Sequence, residues 1–404
     1  MNQSTKHRLV KKEYILPFIL VTSLFFLWGF AHAILDVLNR HFQEELDITR
    51  AHSAMIQVMF YLGYFVMAIP AGLFINRHGY RRGVVLGLML YGLGSLMFIP
   101  GEYFLSFNFF LFSLFVIACG LVFLETAANP YMTELGDRET AASRLNLAQS
   151  FNGLGCICGP LLGGILLFGD DSQAASISQP YVLMGIVVLA VALIFSRVNL
   201  PEISHQDEKL EVASSHDLFN KKSFMFGVAA LLCYEVSEIS VNSFFINYAV
   251  EDHWLNEHDA AMVLSMGGLG LFMTGRFVGS WVMRYIRAEK VLLFCGIGAV
   301  VSCSLVILNL SIVSKVGLIL MYVFEAIMFP TIFSIALKGL GSNTKRASSY
   351  LMMSPVGGVI GPLLMGIIAD HTAMYLSFIV PLFGYVVVML YAWFMSRDSQ
   401  LETA

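Results

Sequence analysis

Twelve long runs of predominantly apolar residues fill most of this 404-residue chain, at approximately 14–38, 53–75, 83–101, 106–130, 145–168, 180–198, 224–249, 260–283, 290–312, 316–337, 347–369 and 373–396. Crossing the hydrocarbon core of a bilayer takes about 20 apolar residues in a helix, and within lipid each backbone N–H and C=O must find its partner inside the protein. Each run is therefore expected to be a membrane-spanning helix. Composition agrees: hydrophobic residues make up 57% of the chain and charged residues 13%, whereas soluble domains carry about a quarter charged residues. The expected fold class is an all-α integral membrane protein with 12 transmembrane helices.

One long polar interruption, Pro201 to Lys222, follows the sixth run. It divides the chain into an N-terminal six-helix bundle at 1–200, a cytoplasmic linker at 201–222 and a C-terminal six-helix bundle at 223–404. Cytoplasmic loops concentrate Lys and Arg. With the N-terminus inside, only Arg40, Arg50 and Lys315 fall outside, Arg276 lies within a helix, and every other basic residue is cytoplasmic. Both termini are expected to be cytoplasmic. Lys6, Arg8, Lys11 and Lys12 precede a first run of spanning length without a small-residue cleavage site, the pattern of a retained helix rather than a signal peptide.

Net charge is -4 and no basic block is present, which excludes a nucleic-acid partner. The six cysteines, Cys119, Cys156, Cys158, Cys233, Cys295 and Cys303, sit in apolar runs without the spacing of a zinc site or a secreted disulfide framework. No metal or cofactor is expected. With no nucleophile–base pair or phosphate loop, neither is an enzyme.

The halves repeat at an offset of about 200. Glu125-Thr-Ala-Ala-Asn-Pro130 recurs as Glu325-Ala-Ile-Met-Phe-Pro330, and Arg144, Gly155, Gly159, Pro160, Leu161, Leu162, Gly164 and Ile165 recur 202 residues later as Arg346, Gly357, Gly361, Pro362, Leu363, Leu364, Gly366 and Ile367. Two six-helix halves in parallel repeat resemble the major facilitator architecture, in which substrate binds between rocking halves near the midplane. After the second run, Gly72-Leu-Phe-Ile-Asn76-Arg77-His78-Gly79-Tyr80-Arg81-Arg82 resembles that superfamily's loop motif G-x-x-x-D-R-x-G-R-R, with Asn76 for the acid and Tyr80 for an arginine. Gly279 to Lys290 is its weaker counterpart, with Arg284 in the place of Arg77. Arg77, Arg81, Arg82, Arg144, Arg284 and Arg346 are expected to form a cytoplasmic gate. Arg276, two turns inside the eighth run, is expected to join them by pairing with an acid near that side.

Ionisable groups inside spanning helices are costly and mark functional sites. Five carboxyls qualify: Asp36, Glu125, Glu235, Glu238 and Glu325. Glu125 lies deep in the fourth run with no basic neighbour in sequence, so it is a candidate proton carrier. Polar stripes surround these acids. Gln57, Tyr61 and Tyr64 share a face of the second helix; Asn129 stands one turn from Glu125; Asn146, Gln149 and Asn152 follow at three-residue steps; Glu238 and Asn242 stand one turn apart on the seventh. Amides and phenols beside aromatic rings suit a neutral, multiply hydroxylated ligand.

The chain resembles the fucose:proton symporter family of the major facilitator superfamily, which includes L-fucose permease and the glucose/galactose transporters. The resemblance covers nearly the whole chain and is carried by Leu24-Phe-Phe-Leu-Trp-Gly-Phe30, Ile56-Gln-x3-Tyr61-x2-Gly-Tyr-Phe65, Ile69-Pro-Ala-Gly72, Leu124-Glu-Thr-Ala-Ala-Asn-Pro130, Arg144-Leu-Asn-Leu-Ala-Gln-Ser-Phe-Asn152, Gly275-Arg-Phe-x-Gly279 and Phe329-Pro-Thr-Ile-Phe333. It implies that Asp36 and Glu125 couple proton movement to sugar binding and that Asn152 lies in the sugar cavity. His32-Ala-Ile-Leu35 departs from the asparagines of fucose permeases. Glu238 looks more like the glucose/galactose branch, and Glu325 replaces what is usually a small, amide or apolar residue. The expected function is a monomeric, multi-pass inner-membrane importer of a small neutral sugar with protons. Its sugar ligands would be Gln57, Tyr61, Asn129, Asn146, Gln149, Asn152, Glu238, Asn242 and Glu325. A sodium-coupled sugar carrier, or an exporter of sugars or drugs on the same fold, is the alternative.

Overall fold

In the computed structural model, residues 9–10, 12–45, 55–168, 178–198, 200–201 and 215–401 are described, and the side chains of 34–45, 57, 160–168, 215–217, 257–258, 261, 342 and 398–401 lie outside that description. Helices joined by short turns make up the described residues, with no strand among them. The long helices are α1 (Ile15–Glu45), α2 (Met55–His78), α3 (Tyr80–Leu96, continued by Phe98–Tyr103), α4 (Phe107–Glu134), α5 (Ala141–Phe168) and α6 (Gln179–Arg197). In the second half come α7 (Lys222–Glu251), α8 (Leu269–Val282, entered from Glu257–Met262 through a π-helical turn at Val263–Gly268) and α9 (Ala288–Ile307). Helix α10 is in two pieces, α10a (Ile312–Glu325) and α10b (Met328–Leu337); α11 is likewise α11a (Thr344–Leu351) and α11b (Gly357–His371), and α12 is Ile379–Leu401. Among the described residues, ten helical stretches are long and apolar enough to cross a membrane.

Polarity is distributed as lipid requires. Phe112, Leu183, Leu193, Phe294, Leu363 and Phe383 face outward, while Glu125, Arg144, Gln149, Arg276 and Glu325 are buried. An apolar exterior gains nothing by leaving lipid, so helices are held together by close approach of small residues and by interhelical hydrogen bonds. The sequence repeat reappears here as packing. A β-carbon on Gly155 of α5 would stand 2.8 Å from the Phe30 nitrogen of α1. On its counterpart Gly357 of α11b it would stand 2.9 Å from the Leu232 oxygen and the Val236 nitrogen of α7. Both positions require glycine because a backbone lies where a side chain would begin.

The two halves of the chain meet at the end of the helices that carries Arg77, Arg81, Arg284 and Lys345. There Ser143 Oγ donates to Ser280 O (2.5 Å) and Ser280 Oγ to Ser143 O (2.7 Å), joining α5 to α8. Asn146 Nδ2 donates to Thr331 Oγ1 (3.1 Å) on α10b, and Ser348 Oγ of α11a to Thr126 O (3.2 Å) on α4. At the opposite end Lys315 pairs with Asp252 at 3.2 Å and lies over the Trp254 ring.

Candidate functional site

Helix α4 carries the deepest acid of the first half. Glu125 is 2% exposed, and its carboxyl accepts a hydrogen bond from the Tyr64 hydroxyl of α2. Tyr64 packs on Phe60, and the His32 ring of α1 meets both Phe60 and Tyr61 edge-on. One turn along α4, Asn129 Oδ1 accepts from Gln149 Nε2 (3.2 Å), and its Nδ2 donates to Met352 Sδ of the other half (3.6 Å). Gln149 passes the chain on: its Oε1 and its backbone oxygen accept from Arg276 Nη1 at 3.3 and 3.0 Å. The same Nη1 reaches Asn152 Oδ1 at 3.4 Å, while Asn152 Nδ2 donates to Phe25 O.

Arg276 is engaged by the second half through a broken helix. Pro330 has no N–H, and its ring crowds the carbonyl four residues earlier, which is that of Ala326. Helix α10 parts at 326–327, and Arg276 Nε donates to the freed Ala326 O at 3.0 Å. The neighbouring Glu325 O accepts from the Tyr234 hydroxyl at 3.3 Å. The guanidinium lies 4.3 Å from the centre of the Phe272 ring. This differs from the expected gate residue paired with an acid. Among the described residues Arg276 makes no salt bridge; it lies a turn deeper than Ser280 and bonds to carbonyls and amides of both halves. Glu235, Glu238 and Glu325 are within its electrostatic reach.

The acids of the second half have unequal surroundings. Glu325 is fully buried; its Oε2 accepts from the Tyr385 hydroxyl of α12, and its Oε1 has no partner among the described residues. Glu238 is half-buried, with the Tyr234 hydroxyl beside its carboxyl. Glu235 is buried on α7 within electrostatic reach of Glu125 across the halves. Asn242 is half-buried, and its Oδ1 has no partner among the described residues. The candidate ligands thus fall into a half-buried set, Tyr61, Asn152, Glu238 and Asn242, and a buried set, Glu125, Asn129, Asn146, Gln149 and Glu325. The side chains of Asp36 and Gln57 lie outside the described residues.

The basic residues grouped as a gate also separate. Arg144 is a fully buried clamp: Nε donates to Met132 O (3.0 Å), Nη2 to Thr133 O (2.7 Å), and Nη1 to Asp137 O (2.9 Å) and Thr140 Oγ1 (2.5 Å), so it holds the end of α4 to the start of α5. Arg81 ties α3 to the end of α6 through Phe195 O and Ser196 O. Arg77, Arg82 and Arg284 are exposed and Arg346 is half-buried. Sequence reasoning does not single out Tyr234, Tyr385, Ser348 and Met352; the one signal is for Ser348, because Pro130 announces an orphaned carbonyl at Thr126 in need of the donor that Ser348 supplies.

Residues 18–353 match the model of the Major Facilitator Superfamily. The chain is 35% identical over 421 residues to the L-fucose-proton symporter of Haemophilus influenzae, covering 96% of this chain and 98% of that one. The chain belongs to the fucose:proton symporter family. A second relative, the glucose/galactose transporter of Brucella abortus biovar 1, is 34% identical over 398 residues, 96% of each chain. The crystal structure of the family's transporter FucP in the outward conformation superposes with a TM-score of 0.85 at 33% identity, covering 95% of this chain and 99% of that one.

Proposed function

We propose that this multi-pass membrane protein imports a neutral monosaccharide together with protons across the cell inner membrane by alternating access, as a monomer. The observation that carries the reading is the hydrogen-bonded path from Asn129 through Gln149 and Arg276 to Ala326, which joins the two halves beside the buried carboxyl of Glu125. Family membership, with relatives named glucose/galactose transporter and L-fucose-proton symporter, supports the substrate class.

In this reading all twelve helices span. Bundles 1–200 and 223–404 rock about the site, with 201–222 as their cytoplasmic linker and the basic, closed end on the cytoplasmic side with both termini. The contacts between halves at that end make this the outward-facing state. Sugar hydroxyls meet Tyr61, Asn152, Glu238, Asn242 and Gln57, with Asn129, Asn146 and Gln149 forming the buried floor beneath. Asp36 and Glu125 carry the proton. Charged Glu125 would have one phenol for a partner, so moving it through an occluded state favours the protonated, neutral form. A proton and a sugar that both stabilise the same occluded state bind cooperatively, which is the whole of the coupling. Arg144, Arg346, Arg77, Arg81, Arg82 and Arg284 hold the cytoplasmic end, and Arg276 is the joint between halves.

Asn242 Oδ1, without a partner among the described residues and one turn from Glu238, favours a second reading in which sodium replaces the proton. Proteoliposomes separate the two. Uptake of L-fucose, D-glucose or D-galactose driven by an inward pH gradient, and indifferent to sodium at constant pH, is the expected result. Uptake that follows sodium alone would replace the proton reading, and no uptake of any of these sugars would bring the exporter forward.

A further inference from the structure

We propose that Glu325 is a second proton-carrying carboxyl, the counterpart in the second half of Glu125 in the first, rather than a ligand of the sugar. The inference rests on the reading of this chain as a proton-driven sugar carrier. Its geometry is independent of which sugar is carried.

Glu325 is 0% exposed, against the half-buried Tyr61, Asn152, Glu238 and Asn242, so no sugar hydroxyl reaches it in this state. One carboxyl oxygen holds the Tyr385 hydroxyl and the other has no partner among the described residues. A charged carboxylate left with one neutral donor in an apolar interior is far costlier than the acid. The charged and titratable groups facing it are Tyr234 and Glu238 from α7, Arg276 from α8, Cys303 from α9, Tyr322 on its own helix and Tyr385 from α12. Arg276 is the one cation among them. Its guanidinium is committed to Ala326 O, Gln149 and Asn152, with no salt bridge to Glu325.

That commitment supplies the switch. Glu325 is the last residue of α10a, directly before the break that Arg276 holds, and Arg276 is also bonded across the halves to Gln149 and Asn152. While the basic end is closed, the guanidinium is shared with the first half and Glu325 keeps its proton. When the halves part at that end, Gln149 and Asn152 withdraw, the guanidinium is free to pair with Glu325, and the carboxyl releases its proton to the water that has entered. Only an O–H bond is made and broken; nothing is oxidised or reduced.

Two measurements test this. In proteoliposomes with the membrane potential clamped at zero, sugar accumulation is recorded against the imposed pH gradient for the wild type and Glu325→Gln. The variant is expected to carry one proton fewer per sugar, so that each pH unit supports about ten-fold less accumulation. An unchanged slope overturns the proposal. The second measurement needs no transported sugar, so it separates failure of this inference from failure of the transport reading: infrared pH-difference spectra of the purified protein. A carboxylic-acid C=O band that disappears in Glu325→Gln and shifts in frequency in Tyr385→Phe is the expected result. Should Glu325→Gln not fold, the shift in Tyr385→Phe decides the matter, because that variant keeps the carboxyl and removes its donor. Spectra identical to wild type in the variants that fold overturn it.

Discussion

Helices α4 and α10 carry the same pair of residues at the same spacing, Glu125 with Pro130 and Glu325 with Pro330, yet α4 runs unbroken from Phe107 to Glu134 while α10 parts at 326–327. Each proline removes one backbone bond and orphans one carbonyl, Thr126 O or Ala326 O. In α4 the orphan is met by the short hydroxyl of Ser348, reaching over from the other half at 3.2 Å. In α10 it is met by the long side chain of Arg276, and a second carbonyl turns to Tyr234. A proline therefore specifies a missing bond but not a kink; the donor that answers it decides between a continuous helix and a joint. The first half thus presents its acid on a rigid rod, and the second places its acid at a hinge tied to a cation shared between halves.

Removing that cation should break the comparison most severely. Arg276→Ala leaves Ala326 O, Gln149 and Asn152 without their donor, at about 1–3 kcal/mol per buried group left unsatisfied. The purified variant should melt well below the wild type and transport no sugar. A variant as stable as the wild type would mean that Arg276 does not hold the break.

Glu125→Gln keeps an acceptor for the Tyr64 hydroxyl and should fold, but it cannot carry a proton. Losing that one proton should make the accumulation supported by each pH unit about ten-fold smaller, while exchange of labelled for unlabelled sugar continues. An unchanged slope would move coupling elsewhere.

Pro330→Ala sharpens the contrast between the helices. Restoring an N–H to Ala326 O offers α10 a continuous path, worth up to about 3 kcal/mol of helix preference, and competes with Arg276. The variant should be more thermostable and transport more slowly. Pro130→Ala, in a helix already continuous, should change the transport rate far less; equal effects at the two prolines would erase the distinction.

The smallest effect is expected from Ser348→Ala. It removes one cross-half hydrogen bond of about 1 kcal/mol, which shifts the outward- and inward-facing populations about five-fold, readable as distance distributions between spin labels on opposite halves.

Much of this was legible in the sequence. The apolar runs located the helices, and the offset of about 200 residues reappears as the matched approach of Gly155 to α1 and Gly357 to α7. The polar stripe on α5 was legible as a pattern, but not its depth: Asn146 and Gln149 are buried and Asn152 is half-buried. What stayed hidden were partners brought by other helices. Tyr385 reaches Glu325 from α12, with nothing in the sequence to mark the meeting. Arg276 was assigned an acid because a sequence displays charged side chains and conceals orphaned carbonyls. Arg144 was grouped with the loop arginines because counting charges near helix ends carries no information about depth, and the structure buries it as a clamp.

The central claim is that sugar and proton cross together. De-energised proteoliposomes containing the protein, in weakly buffered medium, would receive L-fucose, D-glucose, D-galactose and related sugars one at a time while external pH is recorded. The account predicts transient alkalinisation with at least one sugar, smaller per sugar carried in Glu125→Gln vesicles. Sugar entry without any pH change, or alkalinisation that Glu125→Gln leaves intact, would contradict it.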